Sequence, residues 1–250
     1  MHLLITKIVF ATTIFFLTLI TGFLPLKIIK HNISFLSLCD AFASGIFLSA
    51  ALLHLLPDAV TKFDMIYGGL YPFPYLICIT TFALLLIMEH IITIYSRNHL
   101  TNNKAMVPVF LLTLLTIHSL IEGAAIGANT NILEAMAIFF AIIAHKGSES
   151  FALTVNLHRF AFSTKIIQQI IAGFSLMTPL GIFIASSIVY ASTTNSGGML
   201  AAIFDAITAG TFLYLNIEQL VSGKKSFEKT SELIALALGI TVMAIVAIWI

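Results

Sequence analysis

Eight stretches of this chain run for roughly 20 residues or more with few charges, the length an α-helix needs to cross the hydrocarbon core of a bilayer. They cover about 3–26, 33–57, 72–95, 106–128, 132–156, 166–190, 199–220 and 231–250. In lipid, backbone N–H and C=O groups must be satisfied within the protein, which leaves helices or a closed barrel. The runs are continuous rather than alternating, which disfavours strands. The expected fold is an all-α polytopic membrane protein with eight transmembrane helices in a single domain over 1–250. Composition agrees: 59% of the 250 residues are hydrophobic and 9% are charged, less than half of the usual quarter. That is too little polar material to cover a water-facing surface, which excludes a soluble enzyme, a nucleic-acid binder and a disordered chain.

Prolines and short polar clusters punctuate the runs. Pro25 is expected to close the first stretch and Pro57 the second, while Pro72 and Pro74 open the third. Asn129-Thr130-Asn131 reads as a tight turn between the fourth and fifth, and Asn195-Ser196-Gly197-Gly198 separates the sixth from the seventh. No A-x-A-like site follows the first run, so it reads as a retained helix rather than a signal peptide. Cys39 and Cys78 lie in apolar runs and form no metal-binding spacing, so both read as free buried thiols.

The basic residues orient the chain. Lys27, Lys30, Arg97, Lys104, Arg159, Lys165, Lys224, Lys225 and Lys229, nine of the twelve, fall in alternate connections on one side. Lys7 and Lys62 lie on the other side, and Lys146 lies inside a span. By the positive-inside rule both termini are extracytoplasmic. Helices one to three then start outside and helices six to eight start inside, so any similarity between them would be an inverted repeat around helices four and five, a plan shared by many transporters.

Ionisable side chains at mid-membrane are costly, about 2.5–3.5 kcal/mol each on insertion scales, and point to function. The fourth stretch contains His118-Ser119-Leu120-Ile121-Glu122 and the fifth His145-Lys146-Gly147-Ser148-Glu149. A spacing of four puts each His and Glu on one helical face. The short turn between the stretches makes them antiparallel neighbours, so the two pairs can converge. Two imidazoles and two carboxylates suit a borderline divalent cation such as Zn²⁺, and the two carboxylates balance its charge. A metal-free proton relay or an ion-pair cluster joined by Lys146 is the open alternative. Small residues at 123, 124, 127 and 128 allow close approach of a neighbouring helix. No enzymatic motif is present: there is no His-Glu-x-x-His, no Walker loop and no nucleophile elbow. An enzyme is therefore not expected.

These residues resemble the ZIP (Zrt-, Irt-like) family of divalent metal transporters. His118-Ser119-x-x-Glu122-Gly123-x-Ala125-x-Gly127 is similar to the helix-four signature of that family, and His145-Lys146-x-x-Glu149 to its helix-five signature. Similarity extends to Gly45 through Ala59 in helix two, Thr178-Pro179-Leu180-Gly181 in helix six, and Ala209 through Tyr214 with Glu218 in helix seven. The resemblance implies eight helices, extracytoplasmic termini and influx of zinc, often iron or manganese. It implies His118, Glu122, His145 and Glu149 as ligands of the central site. Some members carry a second metal beside the first; here the corresponding places hold Ser119, Lys146 and Thr178, so one ion is expected. A long His-rich loop of many relatives is reduced to a single His99 in 96–105.

Transport needs weaker ligands on either side of the centre. His54, Asp58 and Asp205 are the outward candidates; Glu89, His90 and Glu218 are the inward ones, with Asp40 also on the inward side. His2, His31, His99 and His158 read as solvated interface residues. The expected function is a secondary transporter importing Zn²⁺, with Fe²⁺, Mn²⁺ or Cd²⁺ as alternative cargo and no organic cofactor. Its expected setting is the plasma (inner) membrane, in multi-pass form, with the lipid bilayer and optionally a second copy as partners. The rival readings are a non-transporting metal sensor and a proton-conducting relay.

Overall fold

The computed structural model of the chain describes residues 2–28, 33–69, 71–98, 106–191, 198–222 and 230–248. Those residues are helical almost throughout. The helices are α1 (His2–Ile28), α2 (Ile33–Ala50), α3 (Leu56–Tyr67), α4 (Phe73–Asn98), α5 (Met106–Ala128), α6 (Ile132–Arg159), α7 (Thr164–Ser175), α8 (Met177–Ala191), α9 (Gly198–Ser222) and α10 (Thr230–Ala247). A π-helical turn, Ala51–Leu55, joins α2 to α3, and Leu176 separates α7 from α8. The helices thus form eight rods. Seven of them are long and apolar enough to cross a membrane, and within α9 the apolar part is the shorter Ala202–Ile217. The described segments make a multi-pass integral membrane protein.

The outward faces are what lipid requires. Ile5, Val9, Phe16 and Ile20 of α1 and Leu76, Ile79, Leu84 and Ile87 of α4 are exposed, a surface that would aggregate in water. Exposed hydroxyls bond back to their own helix, as Thr12 of α1 does to the Ile8 carbonyl and Thr113 of α5 to that of Val109. No polar group is then presented bare to hydrocarbon at those positions.

Packing divides the rods into two bundles. In one, α1, α5, α6 and α7–α8 pack together; in the other, α2–α3, α4, α9 and α10 do. The bundles meet along α2 with α6, α5 with α9, and α6 with α10. The expected close approach of helix four is seen, and its partner is α8. A Cβ on Gly123 would collide with the Thr178 carbonyl, and one on Gly181 with that of Leu120. Only hydrogen at those positions lets the two backbones touch. Gly45 and Gly239 serve α2 and α10 in the same way.

Two proline expectations are corrected. Pro57 does not end the second rod: the helix continues to Tyr67, with Pro57 in the first turn of α3. A proline ring in an α-helix clashes with the carbonyl four residues back, here Leu53, and Leu53 lies within the wider π turn. Pro25 lies inside α1, which ends at Ile28. At Pro179 the sixth rod is broken one turn earlier, at Leu176. The Asn129–Asn131 turn is as expected, and its chemistry explains it. Asn131 caps α6 by accepting from the Leu133 N–H at 3.0 Å, and Asn129 Oδ1 accepts from the Asn131 N–H. Both cysteines are free, but Cys39 is only half-buried. The 195–197 part of the Asn195–Gly198 separator, most of loop 96–105, His31 and His99 fall outside the described residues.

Candidate metal centre

The site is built by pinning α6. On one face Ser150 donates to the Thr18 carbonyl at 2.6 Å and Thr154 to the Gly22 carbonyl at 2.7 Å, both on α1. Those bonds fix the rotation of α6, so His145 and Lys146 are turned toward α5, Glu149 meets Lys146, and all three are buried. Across the three-residue turn, α5 presents His118, Ser119 and Glu122, also buried.

His118, Glu122 and His145 converge, each offering a ligand atom within 4.8 Å of the others. Glu122 Oε1 is the hub, 2.9 Å from His118 Nε2 and 2.5 Å from His145 Nε2. The approach to His118 lacks hydrogen-bond geometry, and Nε2 of that ring has no hydrogen-bond partner. His145 Nδ1 and Glu149 Oε1 are likewise buried without partners. Buried polar atoms are normally paired, so the convergence of His118, Glu122 and His145, with unsatisfied nitrogens on both rings, is what a ligand site requires. Imidazole nitrogens and carboxylate oxygens are the donor set of Zn²⁺ and its neighbours.

Glu149 is held differently. Lys146 Nζ donates to Glu149 Oε2 at 2.6 Å, to Glu122 Oε2 at 3.0 Å and to Ser119 Oγ at 2.5 Å, with the Phe174 ring 5.0 Å away. The structure therefore brings together two imidazoles and one carboxylate, and joins the fourth expected ligand to them through an ammonium. Thr178 is buried beside Gly123, its hydroxyl unpartnered.

The family model described as ZIP Zinc transporter matches residues 4–108 and 96–247. The chain belongs to the ZIP zinc transporter family. A Takifugu rubripes protein named Zinc transporter ZIP1 is 27% identical over 295 aligned positions, covering 97% of each chain. Zinc transporter ZIP1 of Danio rerio is 27% identical, covering 88% of this chain and 89% of its own. Zinc transporter 11 of Arabidopsis thaliana is 28% identical, covering 99% and 86%. These ZIP relatives are named transporters, not enzymes, and membership carries divalent metal transport.

The flanking candidates separate by place. His54 sits in the π turn, its ring centroid 6.4 Å from that of His145, and its Nδ1 is 3.5 Å from Asp58 Oδ2. π turns recur at functional positions because the extra residue re-aims side chains. Asp205 pairs with Lys62 at 2.5 Å. Glu89 accepts from the Tyr214 hydroxyl at 2.9 Å, and His90 is exposed. Asp40 pairs with Arg159 at 2.9 Å. Glu218 lies on α9, with its side chain outside the described residues. Among the described side chains, none of these joins the His118–Glu122–His145 group.

Two neighbours of the site carried no signal of their own in the sequence. Fully buried Phe212 of α9 presses edge-on against both His118 and His145, at 5.4 and 5.6 Å. Thr208, one helical turn earlier, lies 3.0 Å from His118 Nδ1. Phe212 falls within the helix-seven similarity but has no ligating chemistry to single it out.

Proposed function

We propose that this protein is a secondary transporter that carries divalent cations, zinc foremost, toward the cytoplasm through one central site. His118 Nε2, Glu122 and His145 would bind the ion, and Glu149 would complete the shell. Lys146 plays the counter-ion: while no cargo is bound its ammonium lies between the two carboxylates, and an arriving dication takes them over. The same ammonium disfavours a second metal at the adjacent place, hence a mononuclear site. The observation that supports this reading most directly is the convergence of ligand atoms of His118, Glu122 and His145 within 4.8 Å of one another.

His54 and Asp58 would receive the ion from outside, with Asp205 beside them held by Lys62. Glu89, His90 and Glu218 would pass it inward. Extracytoplasmic termini, an inverted relation between the first and last three rods, a plasma-membrane setting and a homodimer belong to the same reading. Alternating access would come from one bundle moving against the other. The driving force would be the metal gradient, the membrane potential or a coupled ion: a dication entering a negative interior gains about 4.6 kcal/mol per 100 mV, at ~2.3 for each charge.

Uptake of radioactive zinc into proteoliposomes tests this. Wild-type protein should give saturable influx, and Glu149→Ala should abolish it. Binding without flux would instead identify a sensor. Currents that respond to pH and to Lys146→Ala, but not to zinc, would identify a proton relay. Competition by Fe²⁺, Mn²⁺ and Cd²⁺ would then rank the cargo.

A further inference from the structure

The buried hydroxyl of Thr208 meets the ring nitrogen of His118 that faces away from Glu122. Its Oγ1 lies 3.0 Å from Nδ1, and Thr208 and His118 are 4% and 5% exposed. The other ring nitrogen, Nε2, is aimed at the centre, 2.9 Å from Glu122 Oε1 and without a hydrogen bond. A neutral imidazole carries one N–H, and the bond made by one nitrogen decides which nitrogen is free to ligate. An Nδ1–H donating to Thr208 Oγ1 leaves the Nε2 lone pair toward the cation position.

We propose that Thr208 is the positioning residue of the central site, orienting His118 from the opposite bundle so that Nε2 faces the ion. The inference rests on the reading of His118 as a ligand. Metal-bound histidines ordinarily use their second nitrogen on a carboxylate, carbonyl or water, and loss of that partner typically weakens metal binding 10- to 100-fold. A threonine hydroxyl differs from a carboxylate in being both donor and acceptor. It accepts from Nδ1–H while the ion is bound, and donates to bare Nδ1 when the ring carries its proton on Nε2. Either state of the ring is satisfied, which suits a site that must fill and empty. Phe212 fixes the ring plane from the same helix, and Asn216 in turn anchors α9 to α2, donating to the Ser44 carbonyl at 2.8 Å.

Three forms of the full-length protein test this: wild type, Thr208→Val, which keeps the shape and removes the hydroxyl, and Thr208→Ser, which keeps the hydroxyl. Equilibrium zinc binding in detergent and initial uptake rates in proteoliposomes are measured on each. Thr208→Val should raise Kd and KM together by about ten-fold or more, with Vmax within two-fold of wild type. Thr208→Ser should return both to within two-fold of wild type. Wild-type Kd in Thr208→Val, or a defect in Thr208→Ser as large as in Thr208→Val, overturns the inference and leaves the transport reading intact. Wild-type protein that binds no zinc overturns both. If Thr208→Val is not recovered folded, Thr208→Ala carries the same expectation. Thr208 already lines a cavity of about 70 Å³ between α5 and α9, with Leu114, Ile117 and Ile207, so a smaller side chain merely enlarges it.

Discussion

Lys146 Nζ lies within 3.0 Å of a carboxylate oxygen from each of Glu122 and Glu149, in a site where all three side chains are almost wholly buried. Removing one partner of a buried ionic group leaves the others uncompensated, at about 3–5 kcal/mol. Lys146→Met should therefore lower the thermal stability of metal-free protein by an amount in that range, read by unfolding in detergent. Zinc should then recover more stability in the variant than in wild type, because a dication replaces the missing charge. Equal zinc-induced stabilisation of the two proteins would sink the counter-ion role. The His-x-x-x-Glu spacing made His118 with Glu122 and His145 with Glu149 legible in the sequence. It did not say that Glu149 would be held by Lys146 while Glu122 served both rings. Spacing sets which face a side chain occupies; the depth and roll of each rod in its bundle decide which atoms meet.

At the scale of elements, the contact of α5 with α8 sets the position of Glu122. Gly123 follows it directly, and a Cβ there would run into the Thr178 carbonyl. Backbone atoms cannot step aside as a flexible side chain does, so Gly123→Ala must separate the two helices. Overpacking of this kind costs about 1–3 kcal/mol. A fall in melting temperature accompanied by weaker zinc binding is the expected outcome; unchanged binding would mean that the pairing does not position the site. The lengths of the rods, the Asn129–Asn131 turn and the small-residue face of helix four were all readable, because helix length, capping and size are local properties. The π turn under His54 was not. Pro57 marked a disturbance in the second rod, but whether the chain would stop or widen depended on the packing of α3 against α9 beyond it.

Across the whole molecule, the two bundles are tied at the end remote from the Asn129–Asn131 turn by Arg159 of α6 and Asp40 of α2, at 2.9 Å. The pair is partly exposed, so its worth to stability is small, about 1 kcal/mol or less. Its location gives it more influence on motion than on folding. Arg159→Gln should change the maximal rate of zinc uptake at least two-fold while leaving the Kd of the central site at the wild-type value. Identical maximal rates would show that the bundles do not part at that end.

The amino-acid sequence alone determined that this chain enters a membrane as helices, how many rods its described residues form, and that the fourth and fifth each carry a His and a Glu four residues apart. Those properties follow from hydropathy, periodicity and donor type, each written over a few neighbouring residues. Only the tertiary structure decided which of these four side chains share a point, that an ammonium bridges the remaining one, and that α9 supplies a hydroxyl and an aromatic edge to the histidines. Thr208 is 90 residues from His118 along the chain. No local pattern links them, because their meeting is set by how two separately packed bundles close on each other.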